Sequence, residues 1–441
     1  MHYPRFILVA LLSLIRVSYQ HEGQCHHSQA SSDGSCSSPI TSDVQASSSS
    51  FGTRLFSILN DDPLYSGKNI LISPLSIYQS LALLKDGATA QSENELEISQ
   101  ALGIPSLVEQ ARLLFQQSTN DNDSENEDVN LSIATSIWSD SHLKASFIET
   151  ARSKHYSDVH PLPSSYSAVN QWISDRTKGL ISKLFDESEP VDRSVVALLV
   201  NAVHFRGTWT NKFDTDNSID GEFHLRAQSA STFGKDTIPA RFMTASFKMK
   251  VTPQSSLLGG ASVLVLDYGS DTTEDGSHRK SAEYSSVFIL PASSSADAMN
   301  NVIAGLNSQP VSDILNEVRN VKVDLKLPRF RLKFGPSSLV ATLRFLGINA
   351  AFNTTKGELF NQMSEDPSVY VDKVLHSATM EVTEEGTVAG AATAVVMKTR
   401  SIAFEPPPLE LTFDRPFVVI VLHWSSGIPL FIGRVENPEL V

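Results

Sequence analysis

The alternation of apolar and polar positions divides the chain into a helical first third and a strand-rich remainder. In LSIYQSLALLKDGA, the residues Leu75, Ile77, Leu81, Leu83 and Leu84 recur with a helical period, and Ser73-Pro74 stand where a cap and a first-turn proline belong. VNLSIATSIW (129–138), SVVALLVNAVHF (194–205), VKVDLKLPRFRLKF (321–334) and RPFVVIVLHW (415–424) are rich in Val, Ile and aromatic residues. They alternate or run apolar as buried strands do. Between these segments, STNDNDSENED (118–128), LRAQSASTFGKDT (225–237) and GSDTTEDGSHRKSAEYS (269–285) predict surface loops or insertions. No repeat, Pro/Gly-rich linker or abrupt change of charge interrupts 51–441, so one compact unit is predicted there.

The N-terminus has a different pattern. Arg5 precedes an apolar run from Phe6 to Ile15 and a short polar stretch, the layout of a secretory signal peptide over 1–20 with cleavage near Ser18 to Gln20. That run is too short to span a bilayer, and no later segment is apolar for long enough to anchor the chain. Removing Arg5 and Arg16 would take the formal charge from −14 to −16, so a released, acidic molecule is expected, with no affinity for nucleic acid or membrane surfaces. Residues 21–50 are Ser-rich and poor in large apolar side chains, which predicts a flexible leader. Both cysteines, Cys25 and Cys36, lie in it. They can pair with each other or with another chain, but they cannot staple the main unit. Cys25, His26, His27 and Cys36 match no zinc-site spacing, so no metal and no cofactor is expected.

Candidate chemistry narrows the picture further. GxSxG, HExxH and a Gly-rich phosphate loop are all lacking, which argues against an enzyme. Glycosylation triplets start at Asn122, Asn130 and Asn353, the first two in or beside the acidic 118–128 stretch. The segment Thr387–Val396 is small or β-branched, uncharged and free of proline. As a strand it would place Thr387, Ala389, Ala391, Thr393 and Val395 on one face, and Val388, Gly390, Ala392, Ala394 and Val396 on the other. Neither face carries a group that resists burial. A buried edge strand or small-residue connector would show the same composition.

Six stretches in order resemble the serpin family from about Phe51 to the C-terminus. They are NILISPLSIYQSLALL (69–84), LVNAVHFRGTW (199–209), VKVDLKLPRFRLKF (321–334), LGINAAF (346–352), EVTEEGTVAGAATA (381–394) and DRPFVVIVLHWSSGIPLFIGRVENP (414–438). The resemblance implies an α+β fold with one large central β-sheet, two smaller sheets, about nine helices and an exposed reactive-centre loop. It implies inhibition of serine proteases by a suicide mechanism, with a carrier or chaperone as the alternative. Glu384, Glu385 and Gly386 then match the hinge, followed by Thr387, Val388, Ala389, Gly390, Ala391, Ala392 and Thr393, with Gly390 where alanine is commoner. The family's loop is cut about fourteen residues beyond the hinge glycine, which lands on Arg400-Ser401. A guanidinium suits a pocket with a carboxylate at its base, so a trypsin-like serine protease is the implied partner, held in a covalent complex. Lys398 competes, but cleavage there would shorten the inserting strand; Pro406, Pro407 and Pro408 lie beyond the cut. Ser73, Ser76, Asn201 and His376 match the polar cluster that guards sheet opening, and Trp209 the aromatic where insertion begins. His376 reads as a satisfied buried histidine or as a pH-sensitive latch. The acidic NDNDSENED argues against heparin binding, and a monomer is expected. Lys322, Lys326, Arg329, Arg331 and Lys333 read as a solvated strand edge.

Overall fold

In a computed structural model of the chain, the described residues are 42–103, 129–139, 142–177, 179, 181, 183, 185–187, 191, 197–226, 236–269, 283–353, 360–366, 369–387, 406–424 and 426–438. Within 42–50 the backbone alone is described.

The first helix, α1 (Ser42–Asp61), starts inside the stretch expected to be a flexible leader. Phe51, Leu55, Phe56 and Leu59 are all buried and share one helical face. Once that face is anchored, each residue added at the helix start gains a backbone hydrogen bond, so serines with modest helix propensity extend it. The helix α2 (Pro74–Gly87) confirms the Ser73-Pro74 start and is buried on nearly all sides. Six further α-helices among the described residues are α3 (Glu93–Leu102), α4 (Ala145–His155), α5 (Ser167–Arg176), α6 (Ala296–Ser308), α7 (Val311–Asn316) and α8 (Val340–Phe345).

Among the described residues, fifteen strands form two hydrogen-bonded sheets. The six-stranded sheet has the order β10 (Phe330–Ser338), β11 (Lys373–Thr383), β12 (Gly386–Thr387), β4 (Ala197–Thr208), β2 (Val129–Ser139), β3 (Asp158–Pro161). The nine-stranded sheet runs β1 (Ile70–Ile72), β15 (Ile428–Val435), β14 (Phe417–His423), β8 (Tyr284–Leu290), β7 (Ser262–Asp267), β6 (Thr237–Thr252), β9 (Arg319–Pro328), β13 (Leu409–Thr412), with β5 (Ile219–His224) paired to β6. The two small sheets expected from the sequence are thus one network. The sixteen-residue β6 pairs with β5 and β9 along most of its length and with β7 at its end.

Strand β4 is apolar on both faces because both are covered. Leu199, Val203 and Phe205 enter the main core, while Leu198, Val200 and Ala202 join a smaller cluster with Val169 and Ile173 of α5. The stretch at 225–237 is only partly a surface loop. Leu225 and Arg226 are buried, and the Arg226 guanidinium is held by fully buried Glu436, which also faces Arg434 at 2.8 Å. A charge leaves water there because a second charge meets it. The stretches 104–128, 227–235 and 270–282 lie outside the described residues, as do Asn122, Cys25 and Cys36.

Candidate functional site

The segment that follows β11 turns at Glu384-Glu385 and enters the six-stranded sheet as β12, only two residues long. Gly386 pairs with Thr383 of β11 and Thr208 of β4, and Thr387 with Val382 and Gly207, all antiparallel. Below this wedge, β4 and β11 pair directly and in parallel, from Leu198 opposite Lys373 to His204 opposite Thr379. The sheet is therefore parted at its top and closed beneath. Gly386 has φ +148°, and a Cβ there would stand 2.0 Å from the Gly207 carbonyl oxygen. No other residue type fits that approach without displacement.

Each described hinge residue has a partner that the sequence does not advertise. The Thr387 hydroxyl is fully buried 2.6 Å from the Tyr268 hydroxyl, which also meets Ser286 at 2.6 Å. Burial raises the Tyr268 phenol above its ordinary range, so it stays neutral. Trp209 stacks on Tyr268 with ring centroids 4.4 Å apart. Its backbone N–H donates to the Glu385 carbonyl at 2.9 Å, and its indole N–H donates to the Thr383 carbonyl at 2.9 Å. Trp209 thus brackets the turn from both ends.

The Glu384 carboxylate is buried and accepts hydrogen bonds from Arg329 Nε and the Ser218 hydroxyl. Burial pushes its pKa up, but the hydrogen bonds from Arg329 and Ser218 outweigh it and hold the carboxyl below the usual range. Glu385 pairs with Lys212 at 2.9 Å. Arg329 is consequently not simply part of a solvated edge. It sits, itself exposed, in the break between β9 and β10, where the alternation of the two strands is interrupted; Lys322, Lys326, Arg331 and Lys333 are exposed as well.

The polar cluster lies deeper, on the core side of β4 and β11. The Ser73 N–H donates to His376 Nε2 at 3.1 Å, which places the imidazole proton on Nδ1, facing Asn201 Oδ1 at 3.2 Å. Asn201 Nδ2 in turn donates to the Ser76 carbonyl and to Thr135 Oγ1. The Ser76 hydroxyl closes the loop on the Ser73 carbonyl at 3.0 Å. Burial drives the His376 pKa down to about 3, so the ring is neutral at physiological pH, which favours the satisfied-histidine reading. Ser73 departs from expectation in one respect. It is the N-cap residue of α2, but its hydroxyl makes no cap bond and has no partner among the described residues. Its backbone N–H does the work, as the link between helix and sheet.

The structure thus brings together Ser73, Ser76, Asn201 and His376 in one network and Trp209, Glu384, Glu385, Gly386 and Thr387 in another. Val388, Ala389, Gly390, Ala391, Ala392, Thr393, Arg400 and Ser401 lie outside the described residues. Asn130 is half-buried at the start of β2, its Oδ1 accepting from Ser132, and Asn353 is half-buried after a short 3₁₀ turn. Thr135, Lys212, Ser218, Tyr268 and Arg329 were missed by sequence reasoning. Nothing in their local pattern marks them, since each acts across more than fifty residues of sequence. Among the described residues, no three His, Cys, Asp or Glu side chains converge as a metal site.

Comparison with known proteins follows the same lines. The family model described as Serpin (serine protease inhibitor) matches residues 46–438. Serpin-ZXA of Oryza sativa subsp. japonica is 30% identical over 419 residues, which is 90% of this chain and 97% of the relative. Corticosteroid-binding globulin of Bos taurus is 27% identical over 384 residues, 84% of this chain and 85% of the relative. Among solved structures, Arabidopsis AtSerpin1 in its native stressed conformation is similar with a TM-score of 0.73 and 27% identity, covering 90% of this chain and 99% of that one.

Proposed function

The chain belongs to the serpin family, and we propose that it is a secreted suicide inhibitor of trypsin-like serine proteases, offering the Arg400–Ser401 bond as bait. The observation that carries this reading is β12. Its two residues lie between β4 and β11, antiparallel to both, at the top of a sheet in which these two strands pair directly with each other below that point. The residues that follow, 388–396, contain no charge and no proline, so the strand can be extended without burying an ion or losing a ladder bond.

In this mechanism the protease serine Oγ attacks the Arg400 carbonyl carbon, the bond to the Ser401 nitrogen breaks, and that amine leaves with a proton from the protease histidine. The Arg400 acyl group is then esterified to the protease. Loop residues from 388 onward enter between β4 and β11, replacing their direct pairing with two antiparallel pairings, and carry the tethered enzyme away before water cleaves the ester. The hinge ion pairs and the His376–Asn201–Ser73 network hold the sheet closed until then. The inhibitor is consumed, so its function rests on kinetic stability. The N-terminal layout over 1–20 supports secretion, and Asn122 and Asn130 are the favoured glycosylation sites. The partner is a protease rather than nucleic acid, membrane or heparin, and the working form is a monomer.

A carrier role, suggested by the corticosteroid-binding globulin relative, predicts the same fold without trapping. The deciding experiment mixes the protein with trypsin near equal amounts on a reducing, denaturing gel. A covalent band at the summed mass, lost in Arg400→Glu, supports inhibition. Cleavage at Arg400 with no such band, and no gain in melting temperature, points to the carrier.

A further inference from the structure

The chain enters the nine-stranded sheet for its β13 strand by way of three prolines. Strand β13 pairs in parallel with β9, from Leu409 opposite Val323 to Thr412 opposite Lys326. Before Leu409 the pairing stops, because Pro406, Pro407 and Pro408 have no N–H with which to extend the ladder. The stretch Asn320–Lys322 of β9 therefore has β6 along one side, with Lys248 opposite Lys322, Met249 opposite Val321 and Lys250 opposite Asn320. Along its other side no strand pairs with it among the described residues. Between that open edge and the prolines lies a cavity of about 620 Å³, within the range of roughly 300–1,000 Å³ that encloses small organic ligands.

The walls of this cavity differ in chemistry. Val321, Pro253 and the three prolines supply an apolar side. Lys248 and Lys322 supply a cationic one. Both are exposed, and as directly opposed residues of an antiparallel pair they hold their Cβ atoms about 5 Å apart. Like charges so placed repel each other, in a chain whose formal charge is otherwise −14. The Lys248 ammonium has no ion pair or hydrogen bond among the described residues, whereas Lys250, two residues on, is held by Asp267 at 2.7 Å. Glu410 also lines the cavity and stands opposite Asp324 in the β9–β13 pairing, so the cationic surface ends two residues along β9 from Lys322. That arrangement suits one anionic head and disfavours a long polyanion, which would run on to the two carboxylates.

We propose that this cavity is a binding site for a small amphipathic organic anion, with a carboxylate or sulfonate held between Lys248 and Lys322 and an apolar body laid against Val321 and the prolines. The head bridges the two ammoniums with charge-assisted hydrogen bonds and removes their repulsion. The body, flanked by the apolar stems of the two lysines, covers surface that otherwise faces water. The site is apart from the hinge and from the His376 network, and occupying it requires neither a protease nor cleavage of the loop.

The test titrates the full-length protein with three probes: anilinonaphthalene sulfonate, phenylnaphthylamine, which has the same body without the sulfonate, and methanesulfonate, which has the head alone. Fluorescence reads the affinity of the first two, and acetylation of lysines by acetic anhydride, followed by mass spectrometry, reports where each probe sits. Anilinonaphthalene sulfonate should bind at least about tenfold more tightly than the neutral probe. It should slow acetylation of Lys248 and Lys322 and leave the exposed Lys326 and Lys333 unchanged, whereas methanesulfonate at the same concentration should protect none of them. Lys248→Glu and Lys322→Glu should each weaken its binding about tenfold without lowering the thermal midpoint, since each gives the remaining lysine an acidic partner. Equal affinity for the charged and neutral probes, binding that leaves Lys248 open to acetylation, or unchanged affinity in both variants overturns the proposal. Displacement of the probe by a heparin fragment at equal concentration overturns it as well, because the surface would then accept a polyanion. If a variant does not fold, the wild-type acetylation pattern decides.

Discussion

The Thr387 hydroxyl and the Tyr268 hydroxyl lie 2.6 Å apart beneath the parted top of the six-stranded sheet. The first loop residue after the hinge glycine is therefore already bonded into the main core, and the strand that insertion would build has its first rung in place. Four expectations rest on this seat and on the network below it.

Thr387→Arg should leave a protein that trypsin cuts at Arg400 but does not remain bound to. The arginine would enter between Gly207 and Val382 over the Trp209–Tyr268 stack, and an unpaired buried charge costs several kcal/mol, enough to stop the strand at its first residue. On a denaturing gel the cleaved inhibitor should appear without a high-mass band. Thr387→Val, which removes only the hydroxyl, should lower stability by about 1 kcal/mol and still trap.

Gly386→Ala should unseat β12 before any protease arrives. With the Gly207 oxygen 2.0 Å from the added methyl, the wedge must retreat, at a cost of about 1–3 kcal/mol. Hydrogen exchange at the Thr387 amide should become fast in this variant, while exchange in β2 stays slow.

Glu384 should make the hinge acid-labile. Its folded-state pKa is depressed, so its stabilisation is present above the unfolded-state value near 4.5 and is lost as pH falls through the lower folded value. Urea midpoints measured from pH 6 down to pH 3 should fall more steeply for wild type than for Glu384→Gln. At pH 7 that variant should be less stable by about 1–3 kcal/mol, since Arg329 is partly hydrated and can recover some solvation.

His376 acts in a higher window. The folded protein holds it neutral to about pH 3, whereas the unfolded chain binds a proton below about 6.5. Stability is therefore complete above pH 6.5 and declines as pH falls toward 3, by about 2 kcal/mol at pH 5. The thermal midpoint of wild type should drop between pH 7 and 5, and that slope should flatten in His376→Asn. Between pH 7 and 9 the group should have no influence, and a difference in thermal midpoint between wild type and His376→Asn that changes with pH across that range would count against its neutrality.

What the sequence determined by itself was whatever has a local signature. The period of Leu75 to Leu84 and the Ser73-Pro74 pair located α2, the Val- and Ile-rich runs located β2, β4, β9, β10 and β14, and the small, charge-free stretch after Gly386 identified a segment fit for burial. These features follow from propensity and periodicity, which act over a few residues. The tertiary structure alone decided how far the loop already enters the sheet, because that depends on β4 and β11 parting above His204 and Thr379, strands some 175 residues apart. It alone paired Glu384 with Arg329 and Ser218, seated Thr387 on Tyr268, and turned Ser73 from a capping side chain into a backbone donor for His376. Polar partnerships of this kind carry no period. They are set by which surfaces the fold brings together, and a buried polar group takes whichever complementary partner it then meets.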